Sequence, residues 1–186
     1  MAGIARLMAR EVPMPSQPET IRFADDGETP NNPRLPLVLY RQALPLHGAR
    51  DPAAEFEKAF GRHGWGDGWR NGIYGFLHFH ARTHEVLGIA RGRVTVEFGG
   101  SRGEKVELAA GDVAILPAGT GHRRISATPD LLVVGAYPEG GNGSYDQPAP
   151  GRGSHEAAVA AVAATPLPGQ DPIFGRDGPL MTLWKG

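Results

Sequence analysis

The sequence predicts an all-β fold, a double-sheet jelly roll closed into a small barrel. Three observations point there. Between residues 72 and 138 the apolar residues fall in short alternating runs, the period of half-buried strands. Those runs are broken by turn signals at Arg91-Gly92, residues 99–103, Gly111-Asp112 and residues 117–121. The chain also carries 27 glycines and 17 prolines in 186 residues. That balance suits many short strands joined by tight turns better than a disordered chain, because the apolar runs persist between the breaks.

In chain order, residues 1–18 bear Met and Pro and are expected to be ordered only where they dock. Residues 21–24 and 35–40 read as short strands around the turn Asp25-Asp26-Gly27. Asp51 then caps a helix with Pro52 at its first position. Ala53, Phe56 and Phe60 share one face of it, and Gly61 closes it. Trp65 and Trp69, among Gly64, Gly66 and Gly68, read as loop packing or an interface. Strands are expected at 73–80, 85–90, 93–98, 105–108, 112–116 and 131–137. Residues 139–153 form a Gly/Pro-rich loop, Ser154 caps an alanine-rich helix to about Ala164, and Pro166 ends it. Residues 180–184 are apolar and return as a final strand. No internal repeat is visible, and the length suits one domain over 1–186, with a barrel core at about 72–138 and both extensions packed on it.

Charge and composition exclude several classes. The net charge is −1 with cations scattered, so no basic patch argues for nucleic acid. No run approaches the roughly 18 apolar residues of a membrane span. The first ten residues are interrupted by Arg6 and Arg10 and do not read as a secretion signal. With no cysteine there is no disulfide, thiolate ligand or cysteine nucleophile, and cytoplasm is the default expectation.

Chemistry concentrates in two motifs. The first runs Gly72, five residues, His78, Phe79, His80, four residues, Glu85, six residues, Gly92; the second runs Gly111, five residues, Pro117, Ala118, Gly119, two residues, His122. His78 and His80 are two apart, so a strand puts both imidazoles on one face. Glu85 can return opposite them after a turn, and His122 adds a third imidazole from a distant strand. Three neutral imidazoles and a carboxylate suit a divalent transition metal. A lone strand histidine is more often structural, but four ligand-type residues at set spacing reverse that.

This spacing resembles the two cupin motifs at every position but one. Cupins usually carry Asn where this chain has Ser126; that Asn is not a ligand, so the departure touches a turn and not the metal site. The flanks around His84-Glu85-Val86-Leu87-Gly88 and the tail from Asp171-Pro172 to Trp184 are similar to the YjlB-like branch of cupins, which brings no settled reaction. The resemblance implies the jelly-roll barrel, metal ligation by His78, His80, Glu85 and His122, and a homodimer.

Strand parity places Tyr74 and Phe76 on the face of the two histidines, Leu87 and Ile89 on that of Glu85, and Arg124 on that of His122. The expected cavity is apolar and aromatic, with a metal at one end, and takes a small-molecule ligand. Tyr74 is a candidate proton donor and Arg124 a candidate for a substrate carboxylate or a rim ion pair. His84 has parity opposite to Glu85 and reads mainly as a neighbour of the site or a surface residue. His47, His63 and His155 read as solvent-exposed. Ser154, His155 and Glu156 spell a triad by letter only, since consecutive helical positions point apart. With no phosphate-cradling loop or dinucleotide fingerprint, the metal (iron, manganese, nickel or zinc) is the visible source of reactivity. Two classes follow: a metal-dependent dioxygenase or isomerase on a small oxygenated metabolite, or a metal-holding binding or sensing module.

Overall fold

The computed structural model describes residues 17–148 and 152–185, so the expectation for the N-terminal stretch lies almost wholly outside the described residues. In chain order the elements begin β1 (Glu19–Ile21), β2 (Leu37–Tyr40), α1 (Pro52–Arg62), β3 (Trp65–Asn71) and β4 (Glu85–Arg91). They continue β5 (Arg93–Phe98), β6 (Glu104–Ala109), β7 (Val113–Leu116), β8 (His122–Ala127), β9 (Leu132–Pro138), α2 (Arg152–Ala164) and α3 (Leu180–Leu183). The strands make two antiparallel sheets, one of six in the order β1-β2-β7-β4-β9-β3 and one of three in the order β6-β5-β8. This is the jelly roll that the alternating runs and turns predict.

Two cores explain why β4 is buried along nearly its whole length. Leu87 and Ile89 point between the sheets and meet Val94, Val96 and Phe98 of β5. Val86 and Ala90 point the other way, against Phe56 and Phe60 of α1 and Leu180 and Trp184 of the tail. The large sheet is therefore covered on both faces, so alternation along β4 separates two interiors rather than core from solvent. Asp51 starts α1 by accepting from the amides of Ala53 and Ala54, and Ala53, Phe56 and Phe60 are buried as expected. Among the described residues no helix is long and apolar enough to cross a membrane.

Several expected elements differ. Residues 73–80 are not a strand; they form isolated bridges, His78 with His122 and Phe79 with Asp146. Beyond these, the Arg124 amide donates to the carbonyl of the exposed Tyr74 at 2.8 Å, so single bonds rather than a continuous ladder hold the segment. The strand lies earlier, at β3, where the alternating glycines hide a ladder to β9 with a bulge between Gly66 and Trp69. β8 was expected only as the strand that carries His122, without bounds, because all but its first residue face partly or fully to solvent and leave no apolar alternation. The tail at 180–183 is a helical turn and not a strand: the buried Asp171 carboxylate and the Tyr40 hydroxyl both accept the Leu180 amide and fix its start. α1 runs one residue past Gly61, and α2 begins at Arg152, before Ser154.

The contact between α1 and β4 is tight at Gly88, where a Cβ would lie 2.5 Å from the Phe56 ring. Gly88→Ala is expected to destabilise the fold by about 1–3 kcal/mol in chemical denaturation, because helix and sheet must part. Gly61→Ala faces open space on α1 and is expected to have the opposite sign, up to about 1 kcal/mol.

Candidate functional site

The two motifs are clipped together by their backbones. His78 and His122 exchange both amide-to-carbonyl bonds, at 3.2 and 2.9 Å, and the Gly119 amide donates to the His80 carbonyl at 2.8 Å. Gly119 has φ of +89°, and a Cβ there would sit 2.4 Å from the Asn31 carbonyl oxygen, so glycine is required for this approach. On the far side, Phe79 and Ala81 pack against Val162 of α2, which turns the intervening His78 and His80 inward. Glu85 opens β4 opposite Leu116 of β7.

All three imidazoles are buried, and their ligand nitrogens lie within 4.8 Å of one another. Each Nδ1 faces a backbone carbonyl: Phe76 for His78 at 3.2 Å, Ser144 for His80 at 2.7 Å, and Thr120 for His122 at 3.1 Å. Carbonyls only accept, so each Nδ1 carries a proton and donates it, and each Nε2 is left with its lone pair. Glu85 Oε2 lies 3.4 Å from His80 Nε2 and 3.3 Å from His122 Nε2, fully buried and without a hydrogen-bond partner. Lone pairs facing a carboxylate oxygen at this range repel unless a cation or a proton sits among them. The donor set fits a divalent metal ion on that ground.

The electrostatics show what happens around the cluster when only protons compete. Burial, aided by the charge of His122, pushes His78 down to about 3, so it stays neutral. Burial also opposes charging of His80, but the adjacent Glu85 and the Ser144 carbonyl outweigh it and raise its pKa. Burial would raise Glu85, yet His80 and His122 hold it well below the usual carboxylate range. His80 and Glu85 thus keep an ion pair where a metal would neutralise the same carboxylate.

His84 is buried beside this cluster and differs in tautomer. Its Nδ1 accepts the Ala118 amide at 2.9 Å, and its Nε2 donates to the Pro166 carbonyl at 3.1 Å, so no lone pair is left for a metal. It packs 4.7 Å from the Trp184 ring and ties the Pro117–Gly121 turn to the tail, which makes it a structural neighbour of the site and not a surface residue.

The cluster lies on the wall of a cavity of about 260 Å³. Leu87 and Tyr74 line it as parity predicts, whereas Ile89 belongs to the core between the sheets. Arg124 is exposed on β8, its Nη1 3.6 Å from where a Cβ on the cavity-lining Gly72 would sit, and it has no acid partner among the described residues. Among the lining residues that sequence reasoning missed are two tyrosines. Tyr137 of β9 accepts from Trp69 Nε1 at 2.9 Å, and burial together with Glu85 raises the pKa of its phenol. Tyr145 comes from the loop after β9, which also supplies the Ser144 carbonyl that holds His80. Tyr137 could have been found by strand parity with Gly135; no periodic signal marks Tyr145. Of the remaining histidines His47 is exposed, but His63 and His155 are half-buried, and His155 Nε2 lies 2.9 Å from Asp25 Oδ2.

Residues 71–134 match the model of the cupin domain family. The uncharacterised protein YjlB of Bacillus subtilis is 37% identical over 92% of this chain and 99% of its own length. Solved structures match only at low similarity. Acireductone dioxygenase from Bacillus anthracis, with a cadmium ion in its active center, has a TM-score of 0.41 at 14% identity, covering 59% of this chain and 82% of that one. An 11S globulin from Wrightia tinctoria has 0.34 at 16% identity, covering 43% of this chain and only 22% of that one.

Burial lowers His84 to about 4, below its unfolded value near 6.5. The unfolded chain therefore takes up this proton first. Stability is fully present above pH 6.5 and falls as pH drops towards 4, by up to about 3 kcal/mol from this group. His84→Gln is expected to flatten the stability-versus-pH slope over that window by as much as one proton, measured by denaturation at stepped pH.

Proposed function

Because the chain belongs to the cupin superfamily, as a near full-length relative of YjlB, we propose that it is a metal-dependent enzyme of dioxygenase or isomerase type acting on a small oxygenated metabolite in the barrel. The observation that carries this reading is a cluster of three buried imidazoles at a cavity wall, their ligand nitrogens within 4.8 Å of one another, with the Nε2 atoms of His80 and His122 3.4 and 3.3 Å from a buried carboxylate oxygen of Glu85. His78, His80, Glu85 and His122 would hold one divalent ion, iron, manganese, nickel or zinc. When bound, such an ion supplies Lewis-acid polarisation of an oxygen ligand or, as iron, the capacity for oxygen chemistry.

The chain's own residues do the rest. The three backbone carbonyls fix the imidazole tautomers, so no ring must turn over to offer a lone pair. Tyr137 keeps its proton, because its pKa is raised, and serves as a hydrogen-bond donor beside Glu85. Leu87 and Ile73 line the cavity with apolar surface and limit water around the reacting atoms. Tyr74, at the cavity wall, is the proposed proton donor, and Arg124 at the rim is proposed to meet substrate charge. The reading takes the chain as one domain and as a homodimer, since the terminal strands of both sheets leave edges to cover.

Elemental analysis of protein purified without a metal-affinity tag is expected to give one metal per chain, lost in His78→Ala and in His122→Ala. Glu85→Gln is expected to weaken the metal while keeping side-chain volume. Metal affinity is expected to fall with pH, because His80 holds a proton more tightly than a free imidazole and must release it. Proton release on metal titration, measured by calorimetry in two buffers, checks that sign. Reconstitution with each metal, followed by oxygen uptake and product assays on hydroxy acids, keto sugars, diketones and catechol-like compounds, tests the activity. Turnover in metal-free protein would overturn the mechanism, and tight binding without turnover under every metal would make the barrel a binding module.

A further inference from the structure

Three of the six large hydrophobic residues exposed among the described residues sit together at the mouth of the metal-site cavity. Tyr74 is 46% exposed, Phe76 39% and Tyr145 44%. Tyr74 and Phe76 stack with centroids 4.7 Å apart and planes 17° from parallel. Tyr145 lies 5.5 Å from Tyr74, 5.7 Å from Phe76 and 5.5 Å from the His78 ring. Exposed apolar residues scattered singly need no explanation, but a contiguous aromatic group beside a cavity marks a binding surface. The nearby Arg124 guanidinium has no acid partner among the described residues, and its backbone amide donates to the Tyr74 carbonyl at 2.8 Å, so cation and rings belong to one rim. The cavity has room for roughly nine waters at ~30 Å³ each, which suits a single ring with small substituents.

We propose that the rim selects a planar aromatic carboxylate, with its ring laid against Tyr74 and Tyr145, its charge met by Arg124, and its ring substituents directed towards the three imidazoles. This inference rests on the reading of the site as a small-molecule metal centre and names its substrate class. Flat rings recognise one another through offset and edge contacts that a puckered ring of equal size cannot make. A guanidinium held at the edge of such a platform adds preference for an anion.

The test compares benzoate with cyclohexanecarboxylate, which has the same charge and similar bulk but no π face, by calorimetric titration of the full chain. Metal content is measured on the same samples. Benzoate is expected to bind about twofold to tenfold more tightly. The Tyr74→Leu, Tyr145→Leu double variant is expected to erase that preference, and Arg124→Gln to weaken both ligands by about threefold while keeping it. Equal affinities for the two acids, in protein carrying a full equivalent of metal, would overturn the inference and leave the metal reading standing. A preference for benzoate in protein that holds no metal would support the inference and sink the metal reading. If the double variant keeps the preference but turns a dimer into a monomer by light scattering, the rim is a subunit contact and the inference fails. All residues substituted are exposed, and unchanged unfolding temperatures check that each variant folds.

Discussion

A carboxylate taken out of water must be met by positive charge or by hydrogen-bond donors, and buried Glu85 has only the rings of His80 and His122, 3.4 and 3.3 Å away, to meet one of its oxygens. Much of the site can be read as the arrangement that makes this position tolerable. Its charge draws His80 towards the protonated form, burial keeps His78 neutral, and the carbonyls that accept the Nδ1 protons of His78 and His122 turn the Nε2 atoms of those rings towards the cluster. Those carbonyls come from turns flanking the same histidines and from the loop after β9. The loop paths therefore set the chemistry of the rings before any ligand arrives.

The large sheet gives this cluster a rigid floor. Covered by the small sheet on one face and by α1 and the tail on the other, it keeps β4 from shifting register, because a one-residue slip would exchange the two cores. Glu85 is the first residue of that strand, so its position is set by packing along its length. The buried Tyr40–Asp171 contact, at 2.5 Å, and the indole of Trp184 on the Pro36 carbonyl tie the tail to β2 and close the second core.

Much of this was legible in the residues. Turns at glycine and proline located the edges of β4, β5, β6, β7 and β9 to within a residue or two, because a buried strand between tight turns has few alternatives. The clustering of His78, His80 and His122 was legible in the motif spacing, although residues 73–80 are not the continuous strand from which a shared face was argued. What escaped depends on contacts distant in sequence. β3 looked like a loop because its glycines carry no side chains to show a period; Gly135 of β9 has no Cβ and leaves room for the Trp69 indole, where a Cβ would lie 2.1 Å from the ring. The segment at 73–80 had the right letters for a strand, yet its partners are single residues from two other segments. Spacing already set His84 apart from His80, but only the partners of its nitrogens, the Ala118 amide and the Pro166 carbonyl, show that it is a buried structural ring.

The loop after β9 meets the site in two different ways. Through Ser144 it offers a main-chain oxygen, which any amino acid at that position would supply, and through Tyr145 it offers a side chain that defines the mouth. One of these is indifferent to mutation so long as the chain keeps its path, and the other is wholly exposed to it. A substitution at residue 145 therefore changes the mouth of the cavity, while the main-chain oxygen that orients the neighbouring imidazole stays in place. Such a division lets the chemistry of the mouth vary above a cluster whose geometry the main chain holds.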